Sequence, residues 1–434
     1  MEQHIAMMTD GTTRAEASVE VGPLIQPDRI HSRLYSDPAI FAREVEMLWE
    51  RVWVYVGHES EIPNAGDYVR RQIATRPILV LRGRDGKVCV FHNRCRHRGN
   101  MLCHRDRGNA QVIRCPYHGW TFSSEGGLLE PTFDDAYEEG LESADFALAQ
   151  VPRVDNYRGL IFASLSPTGI SLDEHLGQAK MFLDLIFDRS PVGEVELSAG
   201  INKVRYRGNW KMLPENSLEG GYHGFFIHKF AFDLADSRSG RDRMDFHDDA
   251  VWYLPGGHMV EDFRPVGIKQ QKTDANIAYM KQLEERYGAE RAAHLAPGKA
   301  PIIFIFPNLM YVQTHFRHLQ PLGVDETLVV YQPAMLKGVP EEINQTILRQ
   351  HEGSFGPAGF LASDDLEILE RTQNAIKTDG NPWLFLGRGI HREATFDDGT
   401  SVGHSMDENH IRGMWAHYTR IMSGDMAPAN GGAA

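Results

Sequence analysis

Two short stretches, Asn93-Arg-Cys-Arg-His-Arg-Gly99 and Cys115-Pro-Tyr-His-Gly-Trp120, decide how this 434-residue chain is read. Each supplies one thiolate and one imidazole, as Cys95-x-His97 and Cys115-x-x-His118, with 17 residues between the two pairs. Two such loops could clamp one [2Fe-2S] cluster, with both cysteines on one iron and both histidines on the other. A cluster of that kind moves electrons. Pro116 and Gly119 suit tight turns whose N–H groups point at cluster sulfurs and tune the potential. Two cysteines and two histidines also satisfy tetrahedral zinc. Zinc fingers, however, pair Cys with Cys and His with His, whereas here the two types are interleaved. Cys89 and Cys103 lie outside both pairs and read as ordinary buried thiols. Four cysteines in the whole chain point to a reducing compartment and no disulfide framework.

The composition, 42% hydrophobic and 24% charged, is that of a globular chain with room for more than one core. Acids and a base at Glu2, Asp10, Arg14, Glu16 and Glu20 leave no apolar leader. Apolar runs such as Ile302-Ile-Phe-Ile-Phe306 are strand-sized, well short of the roughly 20 residues of a membrane span. The expectation is a soluble, cytoplasmic protein with no membrane contact. A net charge of −14 argues against a nucleic-acid partner. Against that balance, Arg94, Arg96, Arg98, Arg105 and Arg107 crowd the proposed cluster. They read either as a dock for an acidic electron carrier or as compensation for anionic cluster ligands. Neither Gly353-Ser-Phe-Gly356 nor the Gly220-Gly221 pair has the strand–turn–helix setting of a nucleotide fingerprint.

Residues 28–52 carry helical spacing through Ile40, Phe41, Val45, Leu48 and Trp49. Short β-like runs follow at 52–56, 68–69, 77–81, 88–91 and 159–164, broken by Gly and Pro. They predict a small all-β domain with the cluster at the tips of two hairpin loops. Beyond Ser171, helical segments alternate with β runs such as 308–315 and 326–332, an α+β pattern.

The two cysteine–histidine stretches resemble the Rieske signature of the large subunits of aromatic-ring-hydroxylating oxygenases, and the similarity runs from about Trp49 to Met422. The resemblance implies an α+β fold. A small all-β Rieske [2Fe-2S] domain, placed at 45–165, precedes a larger catalytic mononuclear-iron domain at 166–434, whose antiparallel sheet is covered by helices. A helical segment at 1–44 is expected to pack on the catalytic domain.

The stretch from Asn209-Trp-Lys211 through Glu215-Asn216 to His223 and His228 is similar to the family's iron motif. Iron with open positions for O2 is typically held by two His and one carboxylate on one face. Residues five apart point about 140° apart on an ideal helix, so His223 and His228 converge only if the helix is widened or broken there. Gly220, Gly221 and Gly224 make that inexpensive. Asp365, in Gly356-Pro-Ala-Gly-Phe-Leu-Ala-Ser-Asp-Asp-Leu-Glu367, looks like the family's third ligand. Its neighbour Asp364 is the alternative, although Ser363 or Asp364 can serve as a helix N-cap with Glu367 in a capping box. The family places an Asp three residues before the first His, where it relays an electron from the Rieske cluster of a neighbouring subunit. Here that position is Gly220, and Glu219 is expected to take over.

What the resemblance implies is a dioxygenase inserting both atoms of O2 into an arene to give a cis-dihydrodiol. It carries one Rieske cluster and one mononuclear Fe(II) per subunit. Electrons come from NAD(P)H through a separate reductase, with or without a ferredoxin. A small (beta) subunit is an expected partner, in an α3 or α3β3 trimer. The substrate leans towards an aromatic carboxylate, for which Arg205, Arg207 and Arg317 are candidate anchors. Asn216, Phe225, Phe226 and Tyr311 are candidate pocket residues. A monooxygenase or demethylase built on the same metals, or a pure electron-transfer Rieske protein, are the rival readings.

Overall fold

The structure is a computed structural model. It describes residues 19–137, 141, 144–231, 233, 250–262, 272–296, 298–378 and 380–425. The architecture is α+β, with an all-β cluster-bearing unit beside a helix-covered antiparallel sheet.

The cluster-bearing unit is built from short antiparallel strands, because runs such as Pro77-Ile-Leu-Val-Leu81 are β-branched or aliphatic and are bounded by turn residues. A four-stranded sheet runs in the order Val88–His92, Arg76–Arg82, Asp67–Ile73, Arg107–Asn109. A three-stranded sheet joins Leu128–Glu130, Thr121–Ser123 and Val112–Arg114. A third sheet, Arg153–Tyr157, Leu160–Ser164 and Val54–His58, has two strands buried at every position. Alternate residues explain this. Val54, Val56, Ile161 and Ala163 face one core, while Tyr55, Leu160 and Phe162 face another, so this sheet is covered on both sides.

The larger sheet has nine antiparallel strands, in the order Asn202–Tyr206, Glu326–Pro333, His315–Gly323, Leu309–Val312, Ile302–Ile305, His258–Asp262, Ala250–Leu254, Ser401–His404, Ala394–Thr395. The run 308–315, read from sequence as one strand, is a hairpin: it turns at Gln313, whose φ is +53°, and Leu309–Val312 pairs back on His315–Gly323. One face packs under the helices Ala362–Ala375 and Asn409–Met422, through Met310, Leu319, Tyr331, Leu369, Met414 and Trp415. The other packs under Ala179–Phe187, Asp274–Tyr287 and Glu341–Phe355, through Ile303, Tyr311, Phe182, Leu283 and Ile347. Asn308 ties the two units together, since its side chain accepts from Tyr55 N and donates to Tyr55 O, both at 2.9 Å, as a strand neighbour would.

The helical spacing of residues 28–52 resolves into several pieces. Arg29–His31 is a strand that pairs with Trp383–Phe385, and the helix proper begins at Pro38, capped by Asp37, whose carboxylate accepts from Ala39 N at 2.9 Å. It widens to a π-helical turn over Val45–Trp49. This segment is pinned by a fully buried group: Glu44 accepts from Trp210 Nε1 at 2.9 Å, Tyr418 Oη at 2.7 Å and Lys211 Nζ at 2.5 Å. No helix among the described residues is long and apolar enough to cross a membrane.

Candidate metal centres and substrate site

The two ligand loops have nearly the same backbone. Cys95 N donates to Asn100 O and Cys115 N to Trp120 O, each five residues on and each at 2.8 Å. Gly99 N and Gly119 N donate back to the cysteine carbonyls, both at 3.0 Å. Both glycines hold φ near +75° to +79°, a conformation that a side chain would strain. Only the second loop is a hairpin tip, between Val112–Arg114 and Thr121–Ser123. The first leaves one edge of the four-stranded sheet and returns at the other, because Val88–His92 and Arg107–Asn109 are not neighbours.

The loops bring all four expected ligands together. The thiols of Cys95 and Cys115 lie within hydrogen-bond reach of each other. The rings of His97 and His118 are 4.7 Å apart, with His97 stacked on Trp120 at 4.8 Å. His97 Nδ1 is buried with no hydrogen-bond partner among the described residues, an orphaned nitrogen that a metal would satisfy. This donor set fits a [2Fe-2S] cluster. Cys89 and Cys103 are free thiols set apart from it, and burial raises the Cys103 thiol to about 11.

The second centre forms where the chain breaks its helix. Gly220–His223 is one helical turn, followed by a turn and bend up to His228. Both Phe226 N and Ile227 N donate to His223 O, so the turn tightens instead of continuing as a regular helix. The break turns the two imidazoles towards each other, with centroids 5.1 Å apart. Asp365 arrives from the helix Ala362–Ala375, and its Oδ1 stands 3.0 Å from His228 Nε2 and 3.5 Å from His223 Nε2. One donor atom from each residue lies within 4.8 Å of the others. Asp365 Oδ1 makes no well-formed hydrogen bond to either ring, so three donors converge on a point that a cation would fill. The tautomer of His223 agrees, since its Nδ1 donates to Glu219 O at 2.9 Å and leaves Nε2 bare for a metal. Burial works to raise the Asp365 carboxyl pKa, but the two imidazoles outweigh it and hold the group below the ordinary carboxylate range.

Several expectations change here. The helix that carries Asp365 starts at Ala362, with Leu361 as an N-cap that has no side-chain bond, so neither Ser363 nor Asp364 caps it and no capping box forms. Instead Ser363 Oγ donates back to Gly359 O, and Asp364 is half exposed, outside the converging set. The Glu219 carboxylate is not on His223, because Arg388 holds it in an ion pair while the guanidinium stacks on Tyr222 at 3.6 Å. Tyr311 is on the far face of the sheet, its hydroxyl bonded by Arg189, one residue out of phase with Met310 on the iron face. Phe226 is 79% exposed, and Phe225 is half-buried. Asn216 Oδ1 is buried with no partner among the described residues.

Of the three candidate anchors, Arg205 lies exposed on the edge strand and pairs with Glu326, and Arg207 lies exposed one residue beyond the end of that strand. Arg317 is different. It is 2% exposed on the iron face of the sheet, opposite Met310 and Tyr331. Glu215, marked in sequence only as part of the iron-motif stretch, is buried between Tyr35 Oη and Trp415 Nε1, and burial pushes its carboxyl up to about 8. That setting is not legible locally, since both donors come from distant parts of the chain.

Residues 52–137 match the model of the Rieske [2Fe-2S] domain, and residues 194–424 match that of the ring hydroxylating alpha subunit catalytic domain. The chain is 31% identical over 395 residues to the 2-halobenzoate 1,2-dioxygenase large subunit of Burkholderia cepacia, covering 86% of this chain and 82% of that one. It is also 31% identical over 385 residues to the anthranilate 1,2-dioxygenase large subunit of Acinetobacter baylyi, covering 84% and 81%. A naphthalene 1,2-dioxygenase mutant solved with phenanthrene superposes with a TM-score of 0.82 at 25% identity, over 94% of this chain and 96% of that one. With a cluster cradle and a two-histidine, one-carboxylate centre in one chain, the protein belongs to the ring-hydroxylating alpha (large) subunits, the Rieske non-haem iron dioxygenases.

Proposed function

We propose that this chain is the large subunit of an oxygenase that adds both atoms of O2 to an aromatic carboxylate, giving a cis-dihydrodiol. The observation that carries the reading is the convergence of His223, His228 and Asp365 in a chain that also cradles a cluster. The reaction balances as arene plus O2 plus two electrons and two protons; NAD(P)H supplies the electrons through a separate reductase, with or without a ferredoxin. When bound, the cluster supplies electrons singly and the iron supplies O2 activation.

The chain's own residues do the rest. Asp365, His223 and His228 would hold the iron by one face and leave the other to O2 and substrate, while the Glu219 carbonyl keeps the His223 ring turned. Asn216, with an unpartnered buried oxygen, is placed to orient a group near the iron helix. Glu219 is our candidate for the relay from the cluster of a neighbouring subunit, with Arg388 as its counter-ion. A trimer of large subunits, alone or with small subunits, would supply that neighbour. The 2-halobenzoate and anthranilate relatives support an aromatic carboxylate as substrate. Exposed Arg94, Arg96, Arg98, Arg105 and Arg107, none ion-paired among the described residues, support an acidic electron donor.

Oxygen-18 labelling of the reconstituted system tests this. Two labelled atoms in the product are expected from 18O2. A single labelled atom, or loss of a methyl group as formaldehyde, would replace dioxygenation with monooxygenation or demethylation.

A further inference from the structure

A buried guanidinium is expensive unless an anion meets it. Arg317 is 2% exposed, yet no carboxylate pairs with it among the described residues. Its fork is partly used. Nε donates to His315 Nε2 at 3.0 Å and Nη1 to Ser217 Oγ at 2.8 Å, both neutral acceptors. The plane lies between the rings of Tyr331, at 5.2 Å, and Phe355, at 5.0 Å, which offset part of the desolvation. Nε and Nη1 are the nitrogens that find acceptors among the described residues, and none is found there for Nη2. The Tyr331 hydroxyl likewise finds none there, and both side chains are buried.

These two donors lie on the iron side of the sheet. Ser217, which holds Nη1, ends the helix Met212–Ser217, six residues before His223. The Tyr331 phenol is in electrostatic reach of both Arg317 and the iron carboxylate Asp365. A cation and a hydroxyl, both lacking an acceptor and held rigidly beside an aromatic wall, complement a planar anion attached to a ring.

Resting on the oxygenase reading above, we propose that Arg317 Nη2 and Tyr331 Oη form the subsite that takes the carboxylate of the aromatic substrate, and so set the choice of acids over neutral arenes. Neither residue takes part in the oxygen chemistry. They fix which ring carbons face the iron, because the carboxylate is tethered on one side of the ring.

The test uses the metal-loaded holoenzyme without O2 and three probes of one shape class: benzoate, benzamide and toluene. Titration calorimetry reads binding, and turnover with reductase is measured in parallel. Arg317→Gln is expected to weaken benzoate about 10- to 100-fold, the loss of a charged, directional hydrogen bond, and to leave benzamide nearly unchanged. Arg317→Lys should recover part of the loss and Tyr331→Phe should show a smaller one. If Arg317→Gln disturbs folding, seen as loss of cluster absorbance, then Arg317→Lys and Tyr331→Phe decide between the outcomes. Equal weakening of benzoate and benzamide, or none for benzoate, overturns the subsite. So does a wild-type enzyme that oxygenates toluene but neither binds nor oxygenates benzoate, and in that case the oxygenase reading stands. Benzoate binding that depends on Arg317 but never leads to oxygenation would keep the subsite and overturn the oxygenase reading.

Discussion

Replacing Glu44 with Gln should destabilise the protein far more than a surface change of one charge, and the reason lies in Lys211. The Lys211 and Glu44 side chains are 1% and 0% exposed, so the ammonium has no access to water once its partner is neutral. Burial already lowers the Lys211 pKa against the pull of Glu44. The rings of Trp210, Tyr418 and Tyr35 lie 5.1, 5.6 and 5.8 Å from Nζ and soften the cost without removing it. Breaking one partner of such a pair costs about 3–5 kcal/mol, whereas removing both is close to neutral. Trp210 Nε1 and Tyr418 Oη bond different oxygens of Glu44, and a Gln keeps only one acceptor oxygen, so the loss combines the charge with one of these two hydrogen bonds. Glu44→Gln should therefore lose about 3–5 kcal/mol, and Glu44→Gln with Lys211→Met should recover most of it, so that the double variant is more stable than either single one. Urea unfolding followed by tryptophan emission reads the site directly, since the Trp49 and Trp210 rings are 5.1 Å apart beside it. A lysine kept neutral in the folded state takes up a proton on unfolding, so the Glu44→Gln deficit should deepen as pH falls and shrink as pH rises towards the ordinary lysine range. A loss below about 1 kcal/mol, or two single losses that simply add, would refute the reasoning.

Three further outcomes follow from the same geometry. Glu215 favours its neutral form in the fold, so its contribution is complete below the ordinary glutamate range and is lost as pH rises through about 8. Glu215→Gln should flatten the stability profile over that window, and a profile as steep as the wild type's would contradict the burial argument. Asp365→Asn should strip the mononuclear iron, counted as iron per chain, while cluster absorbance persists. Retention of full iron by that variant, with loss from Asp364→Asn instead, would exchange the two roles. Glu219→Gln should leave both metal contents unchanged and slow oxygenation by orders of magnitude; near-normal turnover would remove Glu219 from the electron path.

The metal chemistry is legible in the sequence, because ligand identity is a local property. Cys95, His97, Cys115 and His118 sit within two loops of six residues, and a cysteine, an imidazole and a turning glycine in each are enough to form half of a cradle. The strands of the cluster-bearing unit were legible for the same reason, as short apolar runs between turn residues. His223 and His228 could be read as a pair needing a broken helix, since three nearby glycines allow the break. How far-separated segments meet is set by the packed fold. It brought Asp365 to His228 across 137 positions, left Asp364 outside, and started the helix two residues early by packing Ala362 and Leu369 into the core instead of capping with a side chain. It turned Tyr311 away from the iron, because a hairpin at Gln313 fixed a register that period-two alternation cannot choose alone. It also distinguished Arg317 from Arg205 and Arg207. All three are arginines on strands or strand ends in sequence, and only burial without an acidic partner among the described residues separates an anchor from a surface charge.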